Sequence, residues 1–340
     1  MVRVTEGAHA QNSPAVGLPE HAHFLATKPI GDAALAILGK IAPVTTAPAT
    51  DDDTLLGLLD GTIGLVCRGE GRATRQLIEA ARDLRVIGRA GAGYDNVDVV
   101  AATERGVAVV IAPVHGFAVA EASMALLLAA VKQVIVGDTI VRAGAWGERY
   151  DFLVGDLAEH TLGIVGLGRI GSRLAQLAEA FQMTVLACDP EVEVGAVVEG
   201  VTEIVGLEEL LARSDFISLH VPLTDQTRGL IDRRRLKQIK RGAILLNAAR
   251  GGVVESLDVL FEAIQDGQLS AVALDVFPSE PPDVSHPIFK SPRCLFSPHV
   301  AGQTALGMER VYQSMATDMA AVLSGARPVH CVNPEVFDGV

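Results

Sequence analysis

Three residues in the last third of the chain have the types that acid–base chemistry on a hydroxyl or carbonyl group requires: Arg250, Glu280 and His299. Histidine can take a hydroxyl proton and return it near neutral pH. A carboxylate beside it holds the imidazole and raises its pKa. An arginine grips a carboxylate and pulls on a carbonyl oxygen as charge develops there. Each residue also has a plainer reading. Arg250 can be a solvated loop arginine, His299 a loop histidine, and Glu280 a surface carboxylate before a proline. Types alone do not make the three converge.

Their positions carry more. The run Ala243-Ile244-Leu245-Leu246 reads as a buried strand, and Arg250 comes just past its end, among residues too small to cover it. Burying an arginine is expensive unless an anion or a hydrogen-bonding partner is supplied. Glu280 follows the run ending at Leu274-Asp275-Val276-Phe277, and His299 follows Phe296-Ser297-Pro298. Asp275 also stands at a strand end.

The second constellation is glycine-rich. Gly166, Gly168 and Gly171 have the G-x-G-x-x-G spacing. They follow the apolar run 161–165 and open a helix-like stretch, which is the context a dinucleotide turn needs. The first glycine permits the tight turn, the second lets backbone approach a pyrophosphate, and the third lets helix and strand pack closely. The helix start adds free N–H groups and a positive dipole end. Asp189 ends the next strand, 18 residues past Gly171, where a carboxylate can accept both ribose hydroxyls. It would repel a 2′-phosphate, and no arginine lies within 190–195 to neutralise one, so NAD is favoured over NADP.

The elements that must position these residues alternate. Strand candidates lie at 23–27, 61–67, 84–88 and 106–111, with helices at 31–41 and 73–83. A long apolar helix is expected over 118–142. The alternation then restarts, with strands at 161–165, 184–188, 216–220, 243–247, 271–275 and 294–297. Helices are expected at 170–181, 207–212, 233–239 and 254–266. The segment 304–323 reads as a helix, followed by an extended tail at 331–334. Alternation of this kind argues an α/β fold with mainly parallel sheets. The last helix could return to the first domain and make it discontinuous.

Composition bounds the rest. The 340 residues suffice for two domains, and 49% apolar residues with 34 glycines give a sizeable core with tight turns. A charge of −13 with no basic tract argues against nucleic acid and membrane surfaces as partners. Cys67, Cys188, Cys294 and Cys331 are scattered without metal spacing. Cys188 reads as a buried thiol, and a reducing cytoplasm is the default. The first residues lack the apolar core of a signal peptide and read as a loose extension.

The chain resembles the NAD-dependent D-isomer-specific 2-hydroxyacid dehydrogenases. The likeness runs from about His23 to Pro334. It is carried by the turn Gly166–Gly171, by His220-Val221-Pro222-Leu223-Thr224 with Thr227, by the stretch from Asn247 to Gly251, by the one from Asp275 to Pro281, and by the one from Ser297 to Gly302. The resemblance implies two Rossmann-like parallel-sheet domains. Residues 1–22 would be an extension, and 23–112 plus 304–340 a discontinuous, flavodoxin-like substrate domain completed by the C-terminal helix. Residues 113–303 would bind NAD. It implies Arg250, Glu280 and His299 as the substrate-binding and catalytic trio, with Glu280 and His299 as a relay. Arg169, Ile170, Asp189, His220, Val221, Pro222 and Thr227 would contact NAD, with Ala248, Asp275 and Gly302 nearer the nicotinamide. Backbone near Gly91, Ala92 and Gly93 would hold the substrate carboxylate, and Arg68 would be a second anion contact. Dimerisation through the NAD-binding domains is usual in this family. Nothing in the chain resembles the regulatory domain of longer phosphoglycerate dehydrogenases.

This sequence departs from the family pattern in places. Tyr94 stands where a small aliphatic residue is common, and Ala122 where many members carry a histidine after the glutamate. The substrate side chain stays open. Arg68, Arg89 and Arg149 could line a phosphate site, whereas Trp146, Tyr150 and Phe152 could shape an apolar one. An NAD-sensing corepressor-like scaffold shares the fold and can retain the trio, and is the alternative to a working enzyme. Formate dehydrogenases pair glutamine with histidine, so Glu280 argues against that branch.

Overall fold

The computed structural model describes residues 17–338; the expected extension at 1–22 falls largely outside them. The described residues form two compact units, 17–114 with 305–338, and 115–304.

The first unit holds a five-stranded sheet of β1 (His23–Ala26), β2 (Val44–Thr46), β3 (Thr62–Cys67), β4 (Val86–Arg89) and β5 (Ala108–Ile111). The order is β2-β1-β3-β4-β5 and every pair is parallel. Apart from the short edge strand β2, the strands carry apolar residues on both faces because both faces are covered. Phe24, Ile63, Val86 and Val110 face one cluster, and Leu25, Leu65, Ile87 and Val109 the other. The C-terminal helix Ala305–Leu323 packs on the first of these faces through Val311, Tyr312, Met315 and Met319. Glycines in the strands admit it: a Cβ at Gly88 would overlap the Met319 sulfur, and one at Gly64 would lie 3.1 Å from Met319 Cε. The discontinuous first domain expected from the sequence is therefore what the chain builds. Its tail adds an antiparallel bridge between Val110 and Cys331, and Asn333 bonds Val109 N, Val107 O and Thr103 Oγ1.

The second unit holds β6 (Thr161–Val165), β7 (Thr184–Cys188), β8 (Glu203–Ile204), β9 (Phe216–Leu219), β10 (Ala243–Asn247), β11 (Leu269–Leu274) and β12 (Cys294–Phe296). The order is β12-β11-β10-β9-β6-β7-β8, again parallel throughout. The chain runs from β6 out to β8 on one side, then returns to β9 beside β6 and runs out to β12 on the other, so the order reverses between β6 and β9. Ligands in such sheets bind outside the carboxyl ends at that reversal.

Three expectations need correction. The helix expected over 118–142 is two helices, Gly116–Val131 and Val134–Arg142, bent by 56°. Gln133 between them is left-handed at φ 48°, with its side chain donating to Leu153 O, while Lys132 Nζ donates to Gly155 O. These bonds from the following loop anchor the break. The short edge strands β2 and β8 also went unanticipated, since three and two residues carry almost no periodicity. Cys188 is only part-buried, although burial still pushes its thiol up to about 11. Among the described residues no single helix is long and apolar enough to cross a membrane.

Candidate active site

Because all strands of the second unit run parallel, the loops after β6, β7, β9, β10, β11 and β12 open on one edge. Those loops carry the sequence-derived candidates.

The glycine turn follows β6. Gly166 has φ +96°, and a Cβ there would come 2.6 Å from the His220 carbonyl oxygen. A Cβ at Gly171 would overlap the Gly166 carbonyl. Chain packing therefore requires both glycines. Gly168 differs: a Cβ there would meet nothing within 4 Å. It precedes the helix Arg169–Ala180, whose start has no side-chain cap. Open space above uncapped N–H groups fits a pyrophosphate. Asp189 sits beside it, accepting from Leu167 N at 2.7 Å and from Glu191 N at 2.9 Å, so its carboxylate is fixed against the glycine turn. These residues fit the adenosine and pyrophosphate parts of a dinucleotide.

After β9, His220 N donates to Val165 O at 2.7 Å, which closes β9 onto the turn. The His220 ring lies 2.8 Å from Ser218 Oγ, and its buried Nδ1 has no protein partner. Burial pushes this histidine down to about 4, so it is neutral near pH 7. Val221 and Pro222 begin an exposed loop that Thr227 closes, its hydroxyl donating to Pro222 O at 2.5 Å and accepting from Thr224 N at 2.8 Å. Ala248 follows β10 and packs with Val119 and Ala301, while Ile170 leans on the same cluster.

The small residues around Arg250 now have a cause. A Cβ at Gly251 would overlap the Phe277 backbone, so the loops after β10 and β11 touch main chain to main chain. Asn247 forms the turn, donating to Arg250 O at 2.9 Å and accepting from Ala249 N at 3.0 Å. Arg250 Nη1 donates to Ala249 O at 2.8 Å.

Glu280 and His299 meet. His299 Nδ1 lies 2.7 Å from Glu280 Oε2, and Glu280 Oε1 accepts from Phe277 N at 3.1 Å. Burial alone would raise the Glu280 pKa. The hydrogen bonds from His299 and Phe277, with the charges of His299 and Arg250, outweigh it and hold the carboxyl below its ordinary range. A carboxylate only accepts, so Nδ1 carries the proton and Nε2 is the basic nitrogen of the neutral ring. The trio thus gathers at one sheet edge, with Arg250 close enough to act on Glu280.

His299 is itself left-handed, at φ +53°. Asp275 enforces this. Its carbonyl accepts from His299 N at 2.8 Å. The residue is 1% exposed, and its carboxylate accepts from Val300 N at 3.0 Å, from Ala301 N at 3.1 Å and from the Ser297 hydroxyl. These three carboxylate contacts all go into the 297–301 loop. Gly302 completes it, and a Cβ there would overlap the His115 ring. His115, Asn247 and Ser297 were not singled out as site residues. Asn247 had a signal, an asparagine directly after a buried run; His115, distant in sequence, had none.

The other candidates belong to the first unit. Arg68 follows β3, and Gly91, Ala92, Gly93 and Tyr94 follow β4, with Gly91 at φ +150° and Tyr94 exposed. Arg89 donates to Ala90 O at 2.7 Å. In the second unit the Arg149 guanidinium lies 5.2 Å from the ring centre of Trp146 and 4.0 Å from that of Tyr150. Trp146 and Tyr150 are exposed, while Phe152 lies against Gly137.

Residues 124–301 match the family described as D-isomer specific 2-hydroxyacid dehydrogenase, NAD binding domain. The chain is 38% identical over 313 residues to a D-3-phosphoglycerate dehydrogenase of Methanocaldococcus jannaschii, covering 91% of this chain and 59% of that protein. It therefore spans about three fifths of that relative's length. It is 36% identical to a glyoxylate reductase of Thermofilum pendens, covering 85% of this chain and 86% of that one. Among solved structures, D-lactate dehydrogenase from Aquifex aeolicus, complexed with NAD and lactic acid, has a TM-score of 0.81 at 28% identity, covering 89% of this chain and 96% of that chain.

Proposed function

This chain belongs to the D-isomer specific 2-hydroxyacid dehydrogenase family, and we propose that it interconverts a small D-2-hydroxy acid and its 2-keto acid. The observation that carries this reading is the 2.7 Å bond between His299 Nδ1 and Glu280 Oε2, with Arg250 beside it. Bound NAD would supply the hydride chemistry at substrate C2. His299 Nε2 accepts the hydroxyl proton on oxidation and returns it on reduction. Glu280 keeps the imidazole in the right tautomer and stabilises its charged form. Arg250 binds the substrate carboxylate and draws charge onto the carbonyl oxygen. Oxidation releases a proton, so reduction is favoured near neutral pH.

In this reading Gly166, Gly168, Arg169, Ile170 and Gly171 hold the pyrophosphate, and Asp189 the adenosine ribose. His220, Val221, Pro222, Thr227, Ala248, Asp275 and Gly302 border the rest of the cofactor. The first unit is the substrate domain, with Arg68 and the turn from Gly91 to Tyr94 binding the acid. The protein is a cytoplasmic homodimer joined through its NAD-binding units. Two features support this. The helix Val134–Arg142 buries none of its residues and exposes Val134, Ile135 and Val141, with Trp146, Tyr150 and Leu153 close behind in sequence. The four cysteines are free thiols, which suits a reducing compartment.

The test is a steady-state panel with NADH. The acids are pyruvate, hydroxypyruvate, glyoxylate, 2-oxoglutarate, phenylpyruvate, 3-sulfopyruvate and 3-phosphohydroxypyruvate. Turnover of at least one, lost in His299→Ala, is expected. Tight NADH binding with no turnover of any would sink the dehydrogenase reading and favour a cofactor-sensing scaffold.

A further inference from the structure

Arg68 is held through both its backbone and its side chain. Thr27 Oγ1, at the end of β1, accepts from Arg68 N at 3.0 Å and donates to Arg68 O at 3.2 Å. Gly71 lies so close over Thr27 that a Cβ there would overlap the hydroxyl. The loop after β3 is thereby clamped to the loop after β1. The side chain is fixed as well. Its Nη1 donates to Pro29 O at 2.7 Å. Its guanidinium carbon lies 5.7 Å from the ring centre of Tyr312, within cation–π reach.

Tyr312 comes from the C-terminal helix Ala305–Leu323 and is 6% exposed. The loop after β1 makes room for its ring only because residue 31 is glycine: a Cβ there would come 2.6 Å from Tyr312 Cδ2. The phenol oxygen is buried and finds no protein partner. The contact to Arg68 is therefore made by the ring face, not by the hydroxyl.

The place matters. β1 and β3 are neighbours where the strand order β2-β1-β3-β4-β5 reverses, so both loops border the switch-point crevice of the first unit. One Arg68 donor is used on Pro29, and the guanidinium has five. An arginine already held loses less rotamer entropy on gripping an anion than a free one.

We propose that Tyr312 is a positioning residue for Arg68: its ring holds the guanidinium at the switch-point crevice, set to receive an anionic group of the substrate. This rests on the reading of Arg68 as a substrate contact.

Two measurements test it, on the full-length protein. The first compares KM and kcat for hydroxypyruvate and 3-phosphohydroxypyruvate in Arg68→Ala, Tyr312→Phe, Tyr312→Leu, and a chain carrying pentafluorophenylalanine at 312. Phenylalanine should leave KM within about two-fold. Leucine and the fluorinated ring, whose face no longer attracts a cation, should raise KM by about three- to ten-fold. kcat and the NADH affinity should stay near wild type. The fluorinated ring keeps the packing, so its effect stands whether or not the leucine variant folds. The second is NMR of labelled arginine, which needs no substrate. The Arg68 guanidinium signals should be displaced by the ring current in wild type and Tyr312→Phe, and relax to random-coil positions without an aromatic face. Signals already at random-coil positions in wild type would overturn the proposal. So would an unchanged KM in the fluorinated chain when Arg68→Ala raises it. An unchanged KM in Arg68→Ala would instead refute Arg68 as a substrate contact, and the NMR comparison alone would then decide whether Tyr312 holds it.

Discussion

Glu280 grips His299 through one carboxylate oxygen, at 2.7 Å, and the Phe277 amide through the other, at 3.1 Å. The imidazole is thereby tied to the loop that follows β11. Removing the ring or its partner should have different consequences. His299→Ala should lower kcat by about 10²–10⁴-fold. Glu280→Gln should lower it less and displace the pH–rate profile, because an amide cannot stabilise the charged ring as a carboxylate does. NADH affinity, read by fluorescence titration, should be nearly unchanged in both. An unaltered pH profile in Glu280→Gln would falsify the pairing role.

The same carboxylate predicts a pH dependence of stability. Its partners hold its folded pKa below the ordinary 4.5. A depressed pKa adds stability that is present above the unfolded value and lost as pH falls through the folded one. The melting temperature of Glu280→Gln should therefore lie below wild type at pH 7. The gap should close as pH drops below about 4.5, which a melting series from pH 7 to 3 checks. A gap independent of pH would point to packing instead.

The three glycines of the turn should separate into two classes. Gly171→Ala puts a methyl group into the Gly166 carbonyl, and Gly166→Ala combines overlap with a left-handed backbone. Each should cost roughly 1–3 kcal/mol of stability or more. Gly168→Ala meets open space at φ −74°, so its melting temperature should hold while NADH binding weakens. Equal loss of stability in all three would show that the space above Gly168 is not a ligand site.

Asp275→Asn tests the loop that carries His299. Asp275 offers oxygen to two backbone N–H groups and one hydroxyl, divided between its two oxygens. An amide must turn its NH₂ toward at least one of those backbone donors. A loss of about 1–3 kcal/mol for the unsatisfied group is expected. A fall in kcat should accompany it as His299 leaves its left-handed position. Retained kcat with lost stability would mean the loop tolerates the displacement.

Asp189→Ala should weaken NADH binding and narrow the preference for NADH over NADPH, since it removes the carboxylate that would repel a 2′-phosphate. Because Asp189 also accepts from Leu167 N, a small loss of stability should appear with it. Competition titrations with both cofactors decide the matter; an unchanged preference would remove Asp189 from the adenosine site.

What could be read from the sequence was local. The turn at Gly166, Gly168 and Gly171 was legible because its spacing lies within six residues: Gly166 needs a positive φ and Gly171 packs on the Gly166 carbonyl. The strands β6, β7, β9 and β10 were legible because a buried parallel strand is a short apolar run. The C-terminal helix carried its own periodicity, and its return to the first unit followed from the fold implied by the family motifs. Tertiary structure decided the rest. β2 and β8 are too short to show a pattern, and the break at Gln133 depends on bonds to Leu153 and Gly155. Arg250, Glu280 and His299 are scattered over 50 positions, and only parallel neighbours β10, β11 and β12 bring their loops to one edge. Asp275 stands at a strand end by sequence alone, but that its carboxylate holds the loop at 297–301 is a register no local propensity encodes. The Tyr312 ring under Arg68 is a contact between residues far apart in the chain. Dihedral preference and periodicity act over a handful of residues, whereas a site is made by the long-range pairing of strands that the whole core selects.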